Sequence, residues 1–133
     1  MTIQYSTGIR NAALDSLETT VSTAPTLSIW SGAAPANCAT ANSGTQLVTM
    51  TLPTDWMAAA ASGSKAKAGT WQDTSADASG TAGHFRIHQG TTCHIQGSVT
   101  LTSGGGDMEL DNTNIATGQQ VTVSTFTITA GNA

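Results

Sequence analysis

The chain has 133 residues and a formal net charge of −4, and it contains only four lysines and arginines. This length suits one domain with a substantial core. The scarcity of basic residues excludes the usual clustered phosphate-binding surface, so we expect no nucleic-acid partner. No apolar run reaches the ~20 residues of a membrane-spanning helix. The first residues also lack the features of a signal peptide, so we expect no membrane partner and no export by the general pathway.

Only 9% of the residues are charged, against about 25% in an average soluble protein. The polar surface must therefore consist mainly of Thr, Ser, Asn and Gln side chains. Such a surface repels its neighbours weakly and tolerates close packing. This composition is compatible with a subunit of a dense assembly, and equally with a low-charge domain that stays monomeric.

The first predicted element is a helix at residues 6–21. Ser6 or Thr7 can cap its start. Apolar residues then recur at four-residue spacing and form a stripe on one helix face, namely Ile9, Ala13, Leu17 and Val21, with Leu14 beside them. The stripe predicts a lid that packs on the rest of the chain or, as the less favoured alternative, an arm that packs on a neighbouring subunit.

The body of the protein is predicted at residues 26–129, where apolar and polar residues alternate in short runs. Phe85 and Ile87, for example, lie between His84, Arg86 and His88, which is typical of a strand with one buried and one wet face. Strands are predicted at 26–31, 46–52, 70–72, 84–88, 95–102, 107–110 and 120–129. Residues 55–69 are predicted to form a short helical turn or an irregular excursion. Several short strands joined by turns predict a single domain, 1–133, that is mainly β: an antiparallel, jelly-roll-like β-sandwich with one N-terminal helix.

The histidines and carboxylates are weak candidates for a metal site. His84 and His88 lie about 13 Å apart on an extended strand, too far to share one ion. We therefore expect histidines on the wet face and no metal. Asp107, Glu109 and Asp111 predict an exposed acidic face rather than a calcium site, and Arg86 is placed to pair with one of these carboxylates across strands.

Other motifs give no sign of catalysis. The chain has no G-x-S-x-G elbow, no phosphate-binding loop and no dinucleotide fingerprint, so we expect neither an enzyme nor a cofactor. The two cysteines, Cys38 and Cys93, are either buried free thiols, which we favour, or one long-range disulfide.

The three tryptophans are the largest apolar side chains. Trp30 falls on the face opposite Leu27 and is predicted either to be covered by another segment or to form part of an interface. Trp56 and Trp71 are predicted interface residues as well, and on exposed loops they would suit stacking against a sugar.

Five segments resemble small structural proteins of tailed-bacteriophage virions. They are residues 6–12 (STGIRNA), 27–32 (LSIWSG), 79–86 (SGTAGHFR), 95–99 (IQGSV) and 105–110 (GGDMEL), in that order along most of the chain. The resemblance implies a virion component with a β-sandwich body, and it supplies no catalytic residues. The alanine-rich residues 57–61, the two cysteines and the three tryptophans depart from this pattern.

The resemblance leads to a functional expectation. We expect a capsid decoration (cement) protein that binds the major capsid protein and stabilises the assembled head shell, as a homotrimer in preference to a dimer. It would be assembled in the host cytoplasm and reside in the virion. The alternative is a tail, baseplate or fibre component that contacts host surface glycans. The expected interface residues are Tyr5, Ile9, Leu14, Leu17, Trp30, Trp56 and Trp71.

Overall fold

A computed structural model describes residues 3–131 of the chain. It contains one helix, α1 (Thr7–Val21), followed by ten strands. These are β1 (Thr26–Ser31), β2 (Gln46–Thr51), β3 (Ser64–Ala66), β4 (Trp71–Asp73), β5 (Gly80–Gln89), β6 (Thr92–Leu101), β7 (Met108–Leu110), β8 (Asn114–Ile115), β9 (Val121–Val123) and β10 (Thr127–Thr129). The prediction of a mainly β chain with one N-terminal helix is confirmed.

The strands form one large curled sheet and two small ones. The large sheet has the order β2-β1-β5-β6-β7, and β8 pairs with the start of β5. The pairs β10-β3 and β4-β9 form separate two-stranded sheets. The predicted run at 120–129 is therefore divided between β9 and β10, which pair with different strands.

One pairing departs from the predicted antiparallel arrangement, because β6 and β7 run parallel, with Val99 opposite Met108 and Leu101 opposite Leu110. The cause is a tight return loop at residues 102–107 that carries the chain back along β6. A Cβ atom at Gly104 or Gly106 would approach the Thr100 side chain to 2.6 or 2.8 Å, so these positions require glycine.

Helix α1 packs on the body of its own chain, which confirms the predicted lid. Ser6 caps it by accepting a hydrogen bond from the Ile9 amide at 3.2 Å, and it ends at Ser22, whose φ is 78°. The predicted apolar stripe is only partly correct. Leu14 and Val21 are buried, whereas Ile9 and Ala13 are exposed.

Polar contacts explain why the buried face of α1 is rotated from the predicted one. Lys65 of β3 is 1% exposed, and its ammonium group lies 2.7 Å from the carboxylate of Asp15 and 2.8 Å from that of Glu18. Arg10 donates two hydrogen bonds to the Ala130 carbonyl, and Asn11 accepts one from the Gly63 amide. The helix is therefore attached through charged and amide groups as well as through its apolar residues.

This attachment predicts a pH-dependent stability. The hydrogen bond from Lys65, then the one from the Ala60 amide, holds the pKa of Asp15 below its ordinary value of 3.8. A carboxyl whose pKa falls on folding contributes stability above its unfolded pKa and loses it as pH falls through the folded pKa. We expect Asp15→Asn to unfold at lower urea than the native chain at pH 7. The difference should begin to shrink as pH falls below about 4 and should vanish below the folded pKa of Asp15.

The control for that experiment is Asp111→Asn, which makes the same chemical change at an exposed position. An Asp15→Asn difference that stayed constant from neutral to acidic pH would contradict the proposed role of the Lys65 contact.

Lys65 gives an independent check at the other end of the pH range. Burial lowers the pKa of Lys65, but its bonds to Asp15 and Glu18 outweigh burial and raise the pKa above 10.5. The contribution of Lys65 to the free energy of unfolding is thus complete below about pH 10, and it declines as pH rises through the folded pKa.

The central strands β1 and β5 are buried on both faces, so the prediction of a wet face for His84 and Arg86 is wrong. His84 is 0% exposed and Arg86 is 1% exposed. The loop at residues 32–45, which we call the covering loop, folds back over this face. Three of its residues contribute backbone carbonyls to the Arg86 guanidinium, namely Asn37, Cys38 and Thr40.

The opposite face of the large sheet packs on an aromatic core. Trp71 lies between Trp56 and Phe126, with ring centroids 6.1 and 5.4 Å away, and Phe126 meets Phe85 edge-on at 5.5 Å. Both indoles are satisfied, since Trp56 donates to the Ser22 carbonyl and Trp71 to the Ala68 carbonyl. Residues 55–69 form the predicted irregular excursion rather than a helical turn, and they include β3.

Candidate functional site

Three of the four exposed large apolar side chains within residues 3–131 lie at the start of the described chain. Ile3, Tyr5 and Ile9 are 74, 49 and 56% exposed, and we call these three residues the N-terminal apolar surface. Three extended residues and one helical turn separate Ile3 from Ile9, so the surface spans at most about 15 Å. The other large apolar side chain exposed among residues 3–131 is Leu101, at 51%.

The local sequence accounts for this exposure. Ser6 is extended, with φ −64° and ψ 157°, so residues 3–6 lie outside the helix. Arg10 and Asn11 are directed to the body by their bonds to Ala130 and Gly63. Ile9, the preceding residue, consequently lies on the opposite side of the helix. Ile3 and Tyr5 are apolar residues two positions apart, just before the helix cap, and this spacing could have indicated an exposed apolar segment. The sequence analysis named only Tyr5 as an interface residue.

Most of the other predicted interface residues are inaccessible. Trp56 and Trp71 are both 0% exposed, so the prediction that they lie on exposed loops or at an interface is wrong. They belong to a buried cluster that also contains Phe85 of the large sheet and Val123 of the β4-β9 pair, which the sequence pattern does not reveal. Leu14 is also buried, and Leu17 is half-buried beside the groove formed by Phe85 and Phe126.

Trp30 is covered rather than presented to a partner. It is 9% exposed, its indole donates to the Ser28 hydroxyl at 2.9 Å, and its ring stacks on His84 at a centroid distance of 6.4 Å. Of the seven predicted interface residues, the structure therefore leaves Tyr5 and Ile9 exposed.

A second region with functional side chains is a pocket of about 280 Å³ under the covering loop, lined in part by Cys38, Arg86, His88 and Cys93. The Arg86 guanidinium bonds to the side chain of Asn42 and to three loop carbonyls. The predicted pairing of Arg86 with a carboxylate of the 107–111 row is therefore wrong. The two terminal nitrogens of its guanidinium hold the covering loop.

Two titratable groups in this pocket, His88 and Cys93, have pKa values shifted toward their neutral forms. Burial, followed by the charges of Arg86 and His94, lowers the pKa of His88 below 6.5. Burial, followed by contact with Cys38, raises the pKa of the Cys93 thiol to about 11. A thiol at such a pKa contains little thiolate at neutral pH, and the thiolate is the nucleophilic form. The pocket offers hydrogen bonds and slow thiol chemistry rather than an activated nucleophile.

His84, Asp107 and Glu109 make hydrogen bonds within the fold. His84 contacts the Gly32 carbonyl through Nδ1 at 2.9 Å. Asp107 accepts hydrogen bonds from the amide and hydroxyl of Ser98 at 2.9 and 3.0 Å, and Glu109 accepts one from the Ser103 amide. The bonds of Asp107 and Glu109 stabilise the return loop. Within residues 3–131 no group of three or more His, Cys, Asp or Glu side chains is arranged to hold a metal ion.

Comparison with protein-family models, with curated proteins and with solved structures finds no match to this chain. In the described part of the chain, the helix is neither long nor apolar enough to cross a membrane. The N-terminal apolar surface is the feature that best fits a role in recognition, because it combines high exposure with large apolar side chains.

Proposed function

We propose that this chain is a structural component of a tailed-bacteriophage virion, specifically a decoration protein of the assembled head shell. The observation that carries the proposal is the N-terminal apolar surface of Ile3, Tyr5 and Ile9. The first of the five segments that resemble phage structural proteins, residues 6–12, begins within this surface. The partner would be the major capsid protein.

Energetic considerations favour several copies acting together. Full burial of one large aliphatic side chain contributes about 1.5–3 kcal/mol, whereas association costs at least about 4 kcal/mol in lost freedom of movement. Three such side chains give only a modest net affinity. A homotrimer at a local threefold axis would present three copies of the surface and gain affinity through multivalency, and a dimer would gain less.

Binding to the assembled lattice would stabilise the shell by mass action, because the lattice presents neighbouring subunits together and free subunits do not. The low content of charged residues, 9% of the chain, supports this proposal, since weakly charged copies can lie close together. The protein would act by adding buried contact area, without chemistry. Its location would be the virion.

We also propose that the large sheet and the two small sheets form the two layers of a jelly-roll-like sandwich. The support is a shared core. Trp71 and Val123 of the β4-β9 pair belong to the same buried cluster as Leu27 of β1 and Phe85 of β5. An experimental structure in which the small sheets lay beside the large one, rather than over its face, would contradict this arrangement.

Shell binding by an Ile3→Ser, Ile9→Ser double variant tests the function. We expect its affinity for empty head shells lacking this chain to fall by about tenfold or more, because two apolar contacts are lost. Its melting temperature should remain that of the native protein, because both side chains are exposed. Co-sedimentation with shells over a range of protein concentrations measures the affinity.

The matched control is Leu101→Ser, which removes an exposed aliphatic side chain elsewhere and should leave binding unchanged. If the control and the double variant lost the same amount of affinity for shells, the assignment of the N-terminal apolar surface as the shell-binding surface would be contradicted. If the native protein did not bind shells but co-purified with tails, the decoration role would be overturned and a role as a tail component would be favoured.

A further inference from the structure

Two cysteines that are distant in sequence meet beneath the covering loop. Cys38 lies in that loop and Cys93 lies in β6, 55 positions along the chain, and their sulfur atoms are 2.9 Å apart. Both residues are half-buried free thiols. They are the only cysteines in the sequence, so neither has another intramolecular partner.

The protein holds the two residues together independently of their sulfur atoms. The carbonyl of Cys38 accepts a hydrogen bond from Arg86 at 2.9 Å. Cys93 is fixed by strand pairing opposite His88. A disulfide requires a sulfur separation near 2.05 Å, so bond formation needs a movement of less than about 1 Å. The backbone contacts thus bring the thiols into reach before any oxidation.

We propose that Cys38 and Cys93 form an oxidation site that closes into an intramolecular disulfide and fastens the covering loop to β6. The oxidant is a small-molecule disulfide of the glutathione class. This modification does not depend on the proposed role in a virion. The reduced pair suits the cytoplasm, and the oxidised pair suits an extracellular environment.

The reaction proceeds by two thiol–disulfide exchanges. The Cys38 thiolate attacks one sulfur of oxidised glutathione, and a mixed disulfide forms as one glutathione thiolate leaves and takes up a proton. Cys93 then loses its proton to solvent, its thiolate attacks the sulfur of Cys38, and the second glutathione leaves. Two protein thiols are oxidised, and one glutathione disulfide is reduced to two thiols.

The order of attack follows from the environment of Cys93. Its pKa of about 11 leaves little thiolate near neutral pH, so we assign the first attack to Cys38 and the resolving step to Cys93. Closure should therefore be slow at neutral pH and faster in mildly alkaline solution.

The experiment compares the full chain incubated at about pH 9 with oxidised or with reduced glutathione. In the oxidised sample we expect the intact mass to decrease by two hydrogens, no free thiol after denaturation, and a linked pair of peptides containing Cys38 and Cys93. Closing so long a loop should raise the melting temperature by roughly 5–15 °C. Reduction of the same sample should return it to the starting value.

The matched control is the Cys38→Ser, Cys93→Ser double variant, whose melting temperature should not respond to the oxidant. If that variant fails to fold, the comparison of the native chain before and after reduction still decides the question. Retention of both thiols, glutathione attached to both cysteines, or disulfide-linked dimers would each overturn the proposal. A disulfide that formed without raising the melting temperature would contradict the fastening of the loop.

Discussion

Replacement of Arg86 by methionine is expected to lower the free energy of unfolding by about 3 kcal/mol. The side chain is 1% exposed, and it donates to the carbonyls of Asn37, Cys38 and Thr40 and to the side chain of Asn42. Methionine fills similar space but donates nothing, so four acceptors lose their partner. We expect less than the sum of four charged hydrogen bonds, because Nη2 shares its two hydrogens among three carbonyls. Relief of a buried charge without a carboxylate partner also offsets part of the loss.

Urea denaturation measures this effect, and Arg10→Met is the matched control. Arg10 is half-buried and donates to a single carbonyl, that of Ala130. Its replacement should cost about 1–2 kcal/mol. If Arg86→Met were no more destabilising than Arg10→Met, the covering loop would not depend on Arg86. The cysteine pair would then have no preformed geometry, because Arg86 also holds the carbonyl of Cys38.

Replacement of Trp71 by alanine is expected to cost about 3–5 kcal/mol, the usual range for a buried aromatic residue. Trp71 is 0% exposed and joins Trp56 to Phe126. Domains are stable by about 5–15 kcal/mol in total, so this variant is expected to fold poorly or to melt at a much lower temperature. Thermal unfolding followed by circular dichroism measures the effect.

Trp30→Ala is the matched control for the tryptophan, because Trp30 is 9% exposed and lines a pocket, whereas Trp71 is fully buried. We expect it to cost clearly less than Trp71→Ala. The reverse order would mean that the aromatic core is not the main support of the fold. If Trp71→Ala lost glycan binding, the cause would be unfolding rather than loss of a contact. A test of glycan binding at this position therefore needs the conservative variant Trp71→Phe.

The elements with local signals were predictable from the sequence. The cap at Ser6 and the four-residue spacing predicted a helix at 6–21, and α1 spans Thr7–Val21. The strand predicted at 26–31 coincides with β1, and the strand at 46–52 ends one residue beyond β2. These patterns succeed because helix caps and period-two alternation act over a few neighbouring residues.

The errors concern segments that meet only in three dimensions. His84 and Arg86 alternate with apolar residues as a wet face would, but a loop some 45 positions earlier covers them. Trp56 was ambiguous because its surroundings are rich in alanine, and its burial depends on β4 and on Ser22 at the end of α1. Of the exposed residues in the N-terminal apolar surface, Tyr5 and Ile9 were among the predicted interface residues, whereas Ile3 was not. The single-domain boundary 1–133 stays a prediction.

The return loop also has a consequence for the order of folding. Parallel strands normally need a long crossover, and closing a long loop slows the formation of the contacts that it permits. Val99 and Met108 pair across only nine positions of chain, so this parallel pair forms as locally as a hairpin does. A two-residue turn also joins β5 to β6. Three adjacent strands of the large sheet, β5, β6 and β7, can therefore pair through contacts between residues that are close in sequence. We expect the β5-β6-β7 unit to form first and to act as a template on which β1, and then the covering loop, assemble.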